Sequence, residues 1–192
     1  MPAITSRQNE KVKLARALQR RKSRKDVGLF LIEGTFHIGE AAEARWPLDF
    51  VLCAPELLRG EFAAELVDKL RAAGVECLEV SAEIMDALTG KDNPQGLLAV
   101  ARQQFAPLSS IQPRPASLFL AVVTPQDPGN LGGMLRTLDA AGGNGLLLLD
   151  GGVDPYHPTA IRAGMGAHFS QPIVQASFGE FIAWAREHGI QL

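Results

Sequence analysis

The stretch LFLAVVTPQDPGNLGGMLRTLDAAGGNGLLLLD, residues 118–150, decides the fold. Two apolar runs, LFLAVVT and GLLLLD, bracket a Pro- and Gly-rich turn and a helical period over 131–142. Runs that stay apolar without alternating belong to strands buried on both faces, the condition of a parallel sheet. Working outward, QPIVQ (171–175) is a third such run, with helical stretches at 158–168 and 178–188. The order βαβαβα predicts a parallel α/β sheet. After the Gly189 stop signal, Ile190-Gln191-Leu192 reads as the start of a further strand, so the sheet is expected to be incomplete.

Towards the N-terminus the pattern changes. Residues 104–117 carry Pro107, Pro113 and Pro115 with three serines and no clear period, and read as a linker. Before it, GLFLIEG, DFVLCA, VECLEVS and LLAVA (97–101) are short β-prone runs, with helical stretches at 35–44 and 61–73. They make a small α/β unit over 1–103. It opens on an amphipathic basic helix: Thr5 and Gln8 fit a capping box, Val12, Leu14, Ala15 and Leu18 form an apolar stripe, and Arg16, Arg20 and Arg24 repeat at helical spacing. The expected organisation is therefore 1–103, a 104–117 linker, and 118–192.

The net charge of −2 conceals an asymmetry. Residues 1–25 hold nine Lys or Arg against Glu10 alone, whereas the remainder holds ten against twenty acids. A cationic segment on an acidic body suits a polyanion, because each cation placed on a phosphate releases counterions; a solvated helix face is the plainer reading. No apolar run is long enough for a membrane span and the start is not signal-like, so a cytoplasmic protein without a membrane partner is expected. Cys53 and Cys77 make neither a disulfide framework nor a closed zinc site and read as buried thiols. No metal is expected, and His157 and His168, with no Cys or carboxylate at ligand spacing, are assigned capping or half-buried roles.

The turn after the 118–124 strand is the strongest site candidate, because ligands in parallel α/β sheets sit beyond the carboxyl ends of strands. Asp127, Pro128, Gly129 and Asn130 lie there; Gly129, Gly132 and Gly133 allow close approach, and a helix start favours an anion. Arg136, six residues after Asn130, is placed to grip phosphate, or else to pair with Asp127 or Asp139. No Walker lysine or Gly-x-Ser-x-Gly elbow occurs, and a mononucleotide site finds no acidic ribose partner at the usual distance. In Pro155–Phe169 the small residues Ala160, Ala163, Gly164 and Ala167 predict close packing, and Arg162 is a candidate second phosphate ligand or a surface ion pair. Asn93 and Gln95, in the turn Asp92-Asn93-Pro94-Gln95-Gly96, present amides suited to a base edge or ribose, or simply to turn formation.

These segments together resemble the SpoU (TrmH-type) family of RNA ribose 2′-O-methyltransferases. The opening ITSRQNEKVKLARALQRRKSRKDVGLFLIEG and NPQGLLAV look like that family's ribosomal-protein-like RNA substrate-binding domain. DPGNLGGMLRTLDAAGG looks like its first catalytic motif and AIRAGMGAHFSQPIV like the stretch that follows. The resemblance implies a SPOUT-type trefoil-knot domain, S-adenosylmethionine as methyl donor, rRNA or tRNA as substrate, and a homodimer in the full-length form. Asn130 and Arg136 take the catalytic positions, positioning the ribose and assisting the 2′-hydroxyl. Arg7, Lys11, Lys13, Arg16, Arg20, Arg21, Arg24, Asn93, Gln95 and Arg162 are the expected RNA contacts. Gly164 stands where the family usually has Ser, which removes a hydroxyl. Gly-x-Glu-Gly-type and Asn-Val-Ser-type motifs, which build most of the family's cofactor pocket and its knot, do not occur by Leu192, so the catalytic domain is expected to be its N-terminal part and cofactor contacts to lie mainly beyond it. The alternative is a non-catalytic RNA-binding protein derived from that family.

Overall fold

The computed structural model describes residues 3–89 and 95–192, which form two compact units dividing between Gln103 and Gln104. The first unit runs α1 (Glu10–Ala17), α2 (Arg21–Val27), β1 (Leu29–Glu33), α3 (Thr35–Glu43), β2 (Leu48–Cys53), α4 (Glu61–Ala72), β3 (Cys77–Glu79), α5 (Ala82–Thr89) and β4 (Leu97–Arg102). Its sheet has the order β1-β4-β2-β3, with β4 antiparallel to both β1 and β2, and β2 parallel to β3. Leu31, Phe50, Leu52, Leu98 and Val100 point to one face, where they pack with Val12, Ala15 and Leu18 and with Ile84, Met85 and Leu88 of α5. The alternating residues Phe30, Ile32, Val51 and Ala99 are buried as well, and α3 contacts β1 and β4 beside α4, so both faces are covered.

The basic helix is two helices. The capping box at Thr5 is not used; Asn9 caps α1 instead, its side chain accepting from the Lys11 amide at 2.9 Å. The helix stops at Leu18, and Arg20 is extended before α2 begins. Arg24 accounts for the break: its Nη1 donates to the carbonyls of Leu18 at 2.9 Å and Gln19 at 3.0 Å, groups that the end of α1 leaves without intrahelical partners. Arg24 is completely buried, so the expectation that it contacts RNA is corrected: it is a structural cation.

The second unit holds β5 (Phe119–Val123), α6 (Pro128–Ala140), β6 (Gly145–Leu149), α7 (Pro158–Gly164), β7 (Ile173–Ala176) and α8 (Phe178–Glu187). Its strands are parallel in the order β5-β6-β7, and all five residues of β6 are buried. Leu147, Leu149 and Val174 pack with Phe181, Trp184 and Ala185 of α8. Leu146 and Leu148, on alternate positions, face the other way, the side left for α6 and α7. The segment expected as a linker belongs to this unit: Ala106 bridges Val174 and Ile111 is buried in the α8 core. At the other end Ile190 donates to Ala185 O, closing α8, and is not part of a described strand.

The boundary is anchored on each side. Gln103 donates to Gly28 O at 2.8 Å within the first unit, while Gln104 exchanges two bonds with the buried Tyr156 hydroxyl, which accepts from its amide at 3.1 Å and donates to its carbonyl. Burial pushes this hydroxyl well above its ordinary pKa of 10.0, against a smaller lowering by the Gln104 bond. A group whose folded pKa is raised contributes stability below its unfolded pKa and loses it as pH rises further. Tyr156→Phe is therefore expected to lower the stability of the second unit by about 1 kcal/mol at neutral pH, and to flatten its decline above pH ~10. Urea melts followed across pH 7–11 check both.

Candidate active site and RNA-facing surface

The turn leaving β5 is built to start a helix. Asp127 is the N-cap of α6, its Oδ1 accepting from the Asn130 amide at 2.7 Å, and Pro128 fills the first helical position, where no amide hydrogen is needed. Asn130 and Arg136 are both exposed. Among the described residues, Arg136 makes no hydrogen bond or ion pair, and neither does the Asn130 side chain. The pairing that would have made Arg136 a structural cation is thus not formed. Asp127 is committed to its cap, and Asp139 Oδ1 accepts from Ser170 Oγ at 2.7 Å and Gln171 Nε2 at 2.8 Å.

Six residues of α-helix place Asn130 and Arg136 about 9 Å apart along the axis and about 120° apart around it. They do not share a stripe. Gly133 lies midway between them, about 60° from each, and a side chain built there would meet nothing within 4 Å. The two polar side chains therefore flank an open notch of bare helix backbone. Gly132 is the opposite case: its Cβ would lie 2.8 Å from Ala163 Cβ and 3.0 Å from Gly164 N, and would run into Ala160 O. Here α6 and α7 cross in close contact, as the small residues of 160–167 predict. Gly164 is equally confined by the His168 ring.

On α7, His157 caps the helix through Nδ1, which accepts from the Thr159 amide at 3.1 Å, and exposed Arg162 reaches Thr159 Oγ1 at 3.5 Å. Thr159 Cγ2 lies 3.6 Å from where a Gly129 Cβ would stand, beyond Asp127 Oδ1 at 3.2 Å, so Arg162 lies at the crossing on the side of the first turn of α6. His168 is buried, its Nε2 2.9 Å from Pro155 O. No group of three metal-ligating side chains occurs among the described residues. Burial raises Cys53 to about 11 and Cys77 above its usual value, so neither thiol is a ready nucleophile at neutral pH.

In the first unit Arg7, in the turn before α1, and Lys13, Arg16, Arg20 and Arg21, along α1, α2 and the turn between them, are exposed. Lys11 is drawn inward, pairing with Glu76 at 3.1 Å and sitting 4.4 Å from the centre of the Phe50 ring. The end of α1 is tied to the α5 terminus by Gln19 Nε2, which donates to Leu88 O at 2.9 Å. Asn93 lies outside the described residues. Gln95 Oε1 accepts from the Thr35 amide at 3.1 Å, so its carbonyl completes the start of α3. Sequence reasoning missed the Gln19 tie and the Asp139–Ser170–Gln171 cluster. A polar residue three positions after Arg136 was the only available signal for the second, because its partners lie 31 and 32 residues away.

Residues 9–99 match the MRM3-like substrate binding domain, and residues 117–192 match the SpoU rRNA Methylase family. Over its full length the chain is 30% identical to the 23S rRNA (guanosine(2553)-2′-O)-methyltransferase RlmP of Bacillus subtilis, of which it covers 72%. The chain belongs to the SpoU family. Among solved structures, the AdoMet-bound rRNA methyltransferase from Sinorhizobium meliloti superposes with a TM-score of 0.86 at 33% identity, over 97% of this chain and 69% of that one. The SpoU methyltransferase AviRb from Streptomyces viridochromogenes, in complex with AdoMet, gives 0.83 at 27% identity, over 95% and 69%. The mixed α/β fold with its parallel sheet is that of SpoU structures.

Solved members of the family hold S-adenosylmethionine. Its adenine edge, ribose diol and amino-acid end call for several converging donors and acceptors. The groove of about 700 Å³ between β5 and α6 offers mostly apolar walls, with Asn130 and Thr137 as its polar side chains. Thr137 Oγ1 already donates to Gly133 O at 2.9 Å. The residues of this groove do not by themselves fit the donor.

Proposed function

We propose that this protein methylates a ribose 2′-hydroxyl of rRNA, using S-adenosylmethionine as donor. The observation that carries the reading is the pair of uncommitted side chains, Asn130 and Arg136, flanking the open backbone at Gly133. Asn130 donates to and accepts from the ribose and its neighbouring phosphate, fixing the sugar. A guanidinium is a permanent cation with five donors and no acceptor, so Arg136 is no base; it stabilises the negative charge that grows on the 2′-oxygen, while the proton leaves through a phosphate or water. Arg162 binds a second phosphate. The donor, when bound, would supply a methyl group already activated on sulfonium, which leaves alignment of the hydroxyl as the main task of this chain's residues.

The exposed cations Arg7, Lys13, Arg16, Arg20 and Arg21 hold the RNA backbone, and the amides of Gln95 and Asn93 add contacts to the RNA. Lys11 adds to the field while its ammonium stays on Glu76. The working form is a homodimer in the cytoplasm, in keeping with the family resemblance; no described helix is long and apolar enough to cross a membrane.

The test is transfer of tritiated methyl from S-adenosylmethionine to bacterial 23S rRNA, with the product digested by alkali. Label in alkali-resistant dinucleotides marks a 2′-O-methyl group and is the expected result. Label in a base overturns the reading, and RNA binding without transfer leaves a binding protein. Neutralising Arg16, Arg20 and Arg21 together is expected to weaken RNA binding and to reduce the slope of log K against log salt by about 1 for every phosphate no longer neutralised. Filter binding between 50 and 200 mM salt measures it.

A further inference from the structure

The guanidinium at the centre of the proposed chemistry has one carboxylate neighbour on its own helix. Asp139 lies three residues on, at the spacing where Arg and Asp pair across an α-helix. The other helix neighbours, Gly132, Gly133 and Ala140, carry no charge, and neither does α7 apart from Arg162. Yet no Arg136–Asp139 pair forms. Asp139 Oδ1 is taken by Ser170 Oγ at 2.7 Å and Gln171 Nε2 at 2.8 Å, both from the segment between α7 and β7. Gln171 directs its amide nitrogen to Asp139 although its buried Oε1 is left without a partner among the described residues. Four other carboxylates of the unit are also engaged. Asp127 caps α6, Asp150 accepts from the Phe178 amide, Asp154 from the Tyr156 amide, and Glu180 from Ser177.

We propose that Ser170 and Gln171 are positioning residues for Arg136, acting through Asp139: by holding its Oδ1, and with it the orientation of the carboxylate, they keep the guanidinium unpaired and available to RNA. The inference rests on the function proposed above for Arg136, but its first readout does not depend on methyl transfer. Phenylglyoxal modifies accessible guanidinium groups, and modification of Arg136 is followed by peptide mass spectrometry with exposed Arg114 as reference.

Ser170→Ala/Gln171→Leu releases Asp139, and Arg136 modification is expected to slow about twofold, the size of an exposed ion pair of about 0.4 kcal/mol. Adding Asp139→Asn, which can neither pair with Arg136 nor recover the missing donors, is expected to restore the rate. A purely structural role for the cluster predicts no rescue. Asp139→Asn alone leaves Arg136 as reactive as in the unaltered protein; a rise there would show that Asp139 already pairs with Arg136, and would overturn the proposal even if the double variant unfolds. Methyl transfer should follow the same fall and rescue. Unaltered transfer by Arg136→Ala would sink the proposed function and leave the modification result standing, which separates the two failures.

Discussion

Arg136→Ala is expected to reduce methyl transfer by about a thousandfold while shifting RNA affinity less than threefold. The asymmetry follows from where the side chain sits. Arg136 makes no hydrogen bond or ion pair that holds α6 in place among the described residues, so its removal costs the fold little. In the ground state it offers RNA one charge among several exposed cations on α1, α2 and α7. In the proposed mechanism it faces, in the transition state, the one oxygen on which charge develops, and removing a single preorganised donor of this kind costs on the order of 10²–10³ in turnover. The effect should therefore appear in kcat, with KM for RNA little moved. Arg136→Lys is expected to recover a tenth or less, because an ammonium is a point charge without the guanidinium fork. Single-turnover transfer and filter binding on the same preparations make the comparison; equal reductions in binding and turnover would reduce Arg136 to another backbone ligand.

The elements were legible where burial is two-sided. The apolar run of β6 reads directly as a central strand because all five of its residues are buried, and β2 and β4 show the same clarity. The break between α1 and α2 was not legible: Arg16, Arg20 and Arg24 keep helical spacing in sequence, and only the backbone shows Arg24 turned inward to the carbonyls of Leu18 and Gln19. Pro-rich composition made 104–117 look like a tether, since the bridge from Ala106 to Val174 spans 68 positions and leaves no local trace. At the site, the glycine-rich turn beyond a strand end marked Asn130 and Arg136 as candidates, and their roles came from motif resemblance. Their freedom came from the structure, because whether Arg136 pairs with Asp139 depends on Ser170 and Gln171, residues no local pattern connects to it.

The adjacent glycines of α6 separate packing from function. Gly132→Ala places a methyl group against Ala160 O, Ala163 Cβ and Gly164 N, two of them backbone atoms that no rotamer change can clear. Relief requires α6 and α7 to move apart, and overpacking of this kind costs about 1–3 kcal/mol, more than the ~1 kcal/mol of helix propensity that Ala gains over Gly. The second unit is then expected to melt several degrees lower, since about 1 kcal/mol shifts Tm by 4–8 °C in a unit of this size. Gly133→Ala meets nothing within 4 Å and keeps the propensity gain, so the same measurement is expected to show a higher Tm. Its methyl group nevertheless stands in the notch between Asn130 and Arg136, where the proposed function places the ribose, so turnover should fall although stability rises. A pair of variants one residue apart thus yields opposite shifts in Tm, with turnover lowered in the variant that is stabilised. A Gly133→Ala protein that is stabilised and fully active would mean that RNA does not reach the α6 backbone there, and that the acceptor lies elsewhere on the helix.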